Sequence, residues 1–142
     1  MKLSHVPLRL ATGAFILNSG LSKRKLPAEA AAALQGMAAN AIPQAKSLDP
    51  KTFGRTLSTG EIALGTTLLA PFVPSAVAGA ALTAFGSGLI RMYLNTPGMT
   101  DENSRFRPSE QGTAIAKDIW LVGAGLSLLI DGLTSRKQGN GA

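Results

Sequence analysis

Glu61 poses the clearest chemical question in this 142-residue chain. It stands near the head of the stretch "GEIALGTTLLAP", and apolar residues continue with small interruptions to Ile90. A carboxylate in such a run must pair with a cation, take up a proton or face water. The charged residues that could join it are Arg91, Lys117 and Asp118. Together the four would form a small polar cluster. Such a cluster could fix helix register as ion pairs, or line a quinone, lipid or proton site. Arg9 and Asp131 make a second, separate candidate pair. No catalytic residue is assigned, because no nucleophile, metal motif or cofactor fingerprint accompanies these charges.

Composition narrows the chemistry further. The chain has no cysteine and a single histidine, His5. A disulfide framework, a thiol nucleophile, a thiolate metal site and a self-contained bis-histidine haem site are therefore not expected. No metal site and no cofactor held by the chain's own ligands is expected either. The net charge is +6 and the pI about 10.2, with no nucleic-acid motif. Anionic lipid headgroups are the expected counter-charge, and no nucleic-acid partner is expected. Apolar residues make up 45% and charged residues 15% of the chain, against about 25% charged in soluble domains. The shortfall lies in four stretches that approach the length of a bilayer span. Mean hydropathy is only +0.18, which the long polar connections explain.

The elements that must position these charges follow from punctuation. Spans are expected at about 6–22, 57–71, 74–94 and 112–132, within one membrane domain covering 1–142. Pro7 suits the first turn of the first span, which is read as retained rather than as a cleaved signal. Arg9 is expected near the membrane surface, where it can snorkel. Lys23, Arg24 and Lys25 stop that span. An alanine-rich segment at about 27–41 is expected as a short amphipathic helix on the membrane surface or against the bundle. Asp49 and Pro50 cap and open the next helix, and Ser109 caps the last one. Prolines 71 and 74 break the apolar run into a helical hairpin. A single bent helix, with three spans in all, is the alternative. Residues 95–111 read as a polar loop, and the tail after Gly132 as frayed. On the third span Ala76, Ala80, Ala84 and Gly88 form a small-residue packing row, with Ser75, Gly79, Thr83 and Ser87 beside it.

Four antiparallel spans place both termini on one side of a membrane, with Arg9 and Asp131. Glu61, Arg91, Lys117 and Asp118 then share the opposite half. By helical rise Glu61 lies roughly 17 Å, Lys117 roughly 22 Å and Arg91 roughly 28 Å from the first side. Lys117 is therefore the partner expected for Glu61. The cations of the connections would turn the second side toward the cytoplasm.

The chain resembles the DoxX-like family of small bacterial four-helix membrane proteins. The resemblance rests on "LRLATGAFILNSGLSK", "GEIALGTTLLAP" and "AKDIWLVGAGLSLLIDG". It maps the family's early arginine to Arg9, the glycine before the loop to Gly20, the acid of the second span to Glu61 and the lysine–acid step to Lys117–Asp118. It implies an all-α integral membrane four-helix bundle in the cell membrane, multi-pass and bacterial. It also implies quinone proximity or an accessory role in a respiratory or redox complex, without implying a shared reaction.

The function expected is thus a non-catalytic accessory subunit of a larger membrane complex, with membrane lipids and other integral membrane subunits as partners. The alternative is a quinone- or lipid-binding or transport module built around Glu61.

Overall fold

Helix starts follow the caps. Asp49 accepts a hydrogen bond from the Lys51 backbone N–H at 3.1 Å, and Pro50 opens the helix behind it. Ser109, expected to cap the last helix, does not: its Oγ accepts from the Gly112 N–H at 3.0 Å in the turn before a short helix that has Gly112 itself at the N-cap. The computed structural model describes residues 1–139, with side chains through Ser135. A 3₁₀ turn (Leu3–His5) leads into α1 (Val6–Lys23). After it come α2 (Ala28–Ala41), a second 3₁₀ turn (Pro43–Ser47), α3 (Pro50–Leu69) and α4 (Ser75–Asn95). A β-hairpin of β1 (Thr100–Asp101) and β2 (Ser104–Pro108) precedes α5 (Thr113–Ala116) and α6 (Ile119–Gly139). The fold is all-α apart from that small hairpin.

The chain breaks between Leu69 and Ser75, so α3 and α4 form the expected hairpin and not one bent helix. Two other boundaries differ from the sequence expectation. The polar loop folds partly into β1 and β2, because Asp101 Oδ1 caps the turn through the Asn103 N–H at 3.1 Å. The last helix does not fray after Gly132 but runs to Gly139, while residues 140–142 lie outside the described residues.

The main helices pack as two antiparallel pairs, α1 with α3 and α4 with α6. Glycines let each pair approach closely. A Cβ at Gly65 would lie 2.6 Å from the Leu17 backbone nitrogen, and one at Gly86 would lie 3.0 Å from that of Val122. Gly79 likewise meets Leu129 and Gly125. These glycines recur two helical turns apart: Gly13 and Gly20, Gly79 and Gly86, Gly125 and Gly132. A seven-residue spacing keeps each on one seam of its helix. Larger side chains fill the space between the pairs: Ile16, Leu64 and Leu68 from one, Leu82 and Leu128 from the other.

The expected small-residue row is corrected by this arrangement. Only Ala76 of that row is buried, while Ala80, Ala84 and Gly88 face outward. The neighbouring row, through Gly79 and Thr83, carries the contact with α6.

Segment α2 docks on α3 and α4 through Ala31 and Ala39, not as an isolated surface helix. Buried Gln35 ties the following turn, donating to the carbonyls of Ala45 at 2.8 Å and Leu48 at 2.6 Å. Two segments, Ser75–Asn95 and Thr113–Ser135, are long and apolar enough to cross a membrane. Helices α1 and α3 are comparable in length but carry more polar groups, including Arg9, Asn18 and Lys23 on one and Lys51, Arg55 and Glu61 on the other.

Candidate functional site

Along α3, Gly54, Ser58, Glu61, Gly65 and Leu68 recur at three- and four-residue steps and are all buried. Glu61 therefore lies on the seam with α1 and is 5% exposed. Its partner is Lys23, the last residue of α1. The ammonium donates to Glu61 Oε1 at 3.0 Å and Oε2 at 2.9 Å, and to Ser19 Oγ one turn back. All three ammonium protons are thus engaged. Ser58 Oγ donates to the Gly20 carbonyl at 2.6 Å and holds the two helices at the same level.

This corrects the expected pairing. Neither Arg91 nor Lys117 bridges Glu61. Arg91 is exposed and lines a separate groove with Arg105 and Asn95, and Lys117 is exposed at the groove between α1 and α6. The segment expected opposite Glu61 does lie there, but it is Asp118, not Lys117, that shares a cavity with Glu61. Between α5 and α6 the chain tightens, with the N–H groups of Asp118, Trp120 and Leu121 bonding carbonyls three residues back. That turn leaves Lys117 exposed at the α1–α6 groove and Asp118 half-buried beside the central cavity.

The second expected pair also divides. Arg9 does not snorkel and does not meet Asp131. It is 1% exposed, and its guanidinium donates to four carbonyls at the end of α3 and in the following turn. Nε reaches Leu68 at 2.7 Å, Nη1 reaches Val73 at 3.0 Å, and Nη2 reaches Thr67 at 3.0 Å and Ala70 at 2.8 Å. A planar cation with five donors suits a helix C-terminus, where carbonyls lack partners and the dipole is negative. Asp131 instead pairs with Lys2 at 2.8 Å and lies 3.0 Å from His5 Nε2, slightly off a good hydrogen-bond line. His5 Nδ1 is 2.9 Å from Ser75 Oγ. This network ties the N-terminal turn to the start of α4 and to α6.

Three cavities meet around Glu61 and Asp118. A central one of about 160 Å³ lies between the helix pairs, bounded by Phe15, Ser19, Lys23, Glu61, Phe85 and Asp118. It shares Glu61 and Phe85 with a groove of about 460 Å³ between α3 and α4. It shares Phe15, Asp118 and Leu121 with another of about 460 Å³ between α1 and α6. The result is an apolar crevice between the two pairs, with an ion-paired carboxylate near one side and a half-buried carboxyl near the other. Asp118 can accept from a hydroxyl when ionised, or donate to a carbonyl when protonated.

Residues the sequence reading did not single out complete this site. In the sequence Lys23 reads only as a stop signal, and Phe15 and Phe85 carry no charge to mark them. Their signal lay in helical register: Phe85 stands four residues before Leu89 on α4, and both line the central cavity. No metal-holding group of histidine, cysteine or carboxylate side chains occurs among the described residues.

Compared with known proteins, the chain matches no family model, no curated relative and no solved structure.

Proposed function

We propose that this protein is a membrane-embedded binding module for an amphiphile with a hydroxyl or carbonyl head, of the quinone or lipid class. The observation that carries the reading is the apolar crevice between the helix pairs, with Glu61–Lys23 and Asp118 on its walls. Mostly apolar pockets with a few placed polar groups are the usual form of small-molecule sites. The tail of such a ligand would lie in either outer groove and its head beside Asp118. The resemblance of α1, α3 and α6 to the DoxX-like family supports membrane residence and quinone proximity.

The test is extraction of the protein from bacterial membranes in a mild detergent, followed by mass spectrometry of the retained small molecules. Wild type should retain a hydroxyl- or carbonyl-bearing amphiphile. Phe85→Trp, which fills the crevice where two cavities meet, should lose it without losing the fold. Equal retention by both proteins would sink the reading.

A second reading, an accessory subunit of a larger membrane assembly, is favoured by the outward face of α6. Trp120, Ile130 and Leu133 are 75%, 60% and 50% exposed there. Such a face meets lipid or another integral membrane subunit. Stoichiometric co-purification of other subunits from native membranes supports this reading. A partner-free protein under the same conditions argues against it.

A further inference from the structure

A further pocket, of about 230 Å³, lies where the end of α1 meets the first turns of α3. Arg24 and Lys25 bound it on one side, and Lys51 and Arg55 on the other. Its apolar part comes from Leu26, Ala31 and Gly54. Buried Gly54 packs on α2, where an added Cβ would lie 3.4 Å from the Ala31 Cβ, so the floor is closed. Lys23 stands between this pocket and the central cavity, lining both, with its charge satisfied by Glu61.

The other four cations are exposed, and none of them has a carboxylate within salt-bridge distance among the described residues. The nearby acids form no ion pair with them. Asp49 caps its own helix through the Lys51 N–H, and Glu29 is exposed in the first turn of α2. Four cations of like sign converging on one concavity repel one another unless an anion sits among them. Arginine on two walls suits the forked geometry of phosphate oxygens, and the apolar floor suits the carbon portion of an ester.

We infer that this pocket binds a phosphate group, presented either as the headgroup of an anionic phospholipid or as free phosphate. The site is separate from the crevice and does not rest on the crevice's ligand. Its four cations act as one cradle, and loss of two of them removes most of the affinity.

The test uses the full chain, delipidated in a non-ionic detergent, with native mass spectrometry and thermal unfolding as readouts. The probes are short-chain phosphatidylglycerol, short-chain phosphatidylcholine and inorganic phosphate. Wild type should bind phosphatidylglycerol at least tenfold more tightly than phosphatidylcholine. Arg24→Gln/Arg55→Gln should lose at least tenfold for phosphatidylglycerol. Both residues are exposed, so its unfolding temperature without ligand should match wild type. Should it fall, Lys25→Gln/Lys51→Gln carries the same comparison. Lys46→Gln/Arg105→Gln removes the same net charge elsewhere and should bind as wild type does. Displacement of the lipid by inorganic phosphate at comparable concentration identifies free phosphate as a ligand, and its failure identifies the lipid headgroup. Equal losses in the cradle variant and the distant-charge variant, or no preference for phosphatidylglycerol in wild type, would overturn the assignment.

Discussion

Gly20 lies directly against Glu61. A Cβ at Gly20 would fall 2.9 Å from the Glu61 Cβ and 2.8 Å from the Ile62 backbone nitrogen. The missing side chain is what lets α1 pass close to α3, so that Lys23, three residues on, reaches both carboxylate oxygens. Glycine and ion pair are thus one device. Gly20→Val should push the helices apart and stretch the pair, costing about 1–3 kcal/mol of overpacking strain. Thermal unfolding in detergent measures this. Unfolding at the wild-type temperature would show that the seam can yield.

Removal of Lys23 should be costlier than removal of Glu61. Lys23→Met strands a carboxylate that is nearly inaccessible, on the order of 3 kcal/mol. Glu61→Met leaves a lysine that can turn outward. The double variant should recover much of the loss, because a buried ion pair replaced by apolar groups is often nearly neutral. Lys117→Leu, at an exposed position, should change stability by less than about 0.5 kcal/mol. A double-mutant cycle showing no coupling between positions 23 and 61 would contradict the pairing.

Arg9→Leu should destabilise the hairpin between α3 and α4, since each buried carbonyl left without a donor costs about 1–3 kcal/mol. Arg9→Lys should rescue little. One ammonium cannot reach four carbonyls spread around a helix end. Limited proteolysis near residues 70–74 is the direct readout: faster cleavage than wild type is expected in both variants. Full protection in Arg9→Lys would mean that charge alone, rather than the fork of donors, holds the turn.

Gly79→Leu should separate α4 from α6, because the position meets the Leu129 and Gly125 backbones. Gly88→Leu should be tolerated, since nothing lies within 4 Å of a Cβ there. Size-exclusion profiles of the two variants in one detergent make the comparison. A disrupted Gly88→Leu would show that this outer face meets another copy or another subunit.

What could be read from the sequence was what is local. Asp49 and Pro50 carry their capping chemistry within a few residues, and the structure uses them as expected; Ser109 instead braces the turn before α5, whose N-cap position is Gly112. Glu61 stood out because an acid in an apolar run is conspicuous by itself. Its partner did not, because a run of three cations reads as a stop signal while helix α1 in fact extends to Lys23. Arg9 was visible, but its acceptors are carbonyls 58 to 64 residues away, and a carbonyl has no sequence signature. The packing face of α4 was legible in principle. Counting small residues in rows of four favoured Ala80 and Ala84, whereas the seven-residue recurrence of glycine on α1, α4 and α6 marks the seams. The crevice itself has no sequence signature, since it exists only where two helix pairs fail to close on each other.

The reach of Arg9 also bears on how the chain is made. Its nearest acceptor in sequence is Thr67 and its farthest is Val73. While the ribosome is still adding residues before that turn, the N-terminal helix carries an unsatisfied guanidinium and a seam without a partner. The first half of the protein must therefore wait as an open segment until α3 arrives. All four acceptors are in place once Val73 is added, before any of α6 exists. A chain stopped short of Thr67 would leave α1 as a charged helix without a mate, a natural target for quality-control proteases.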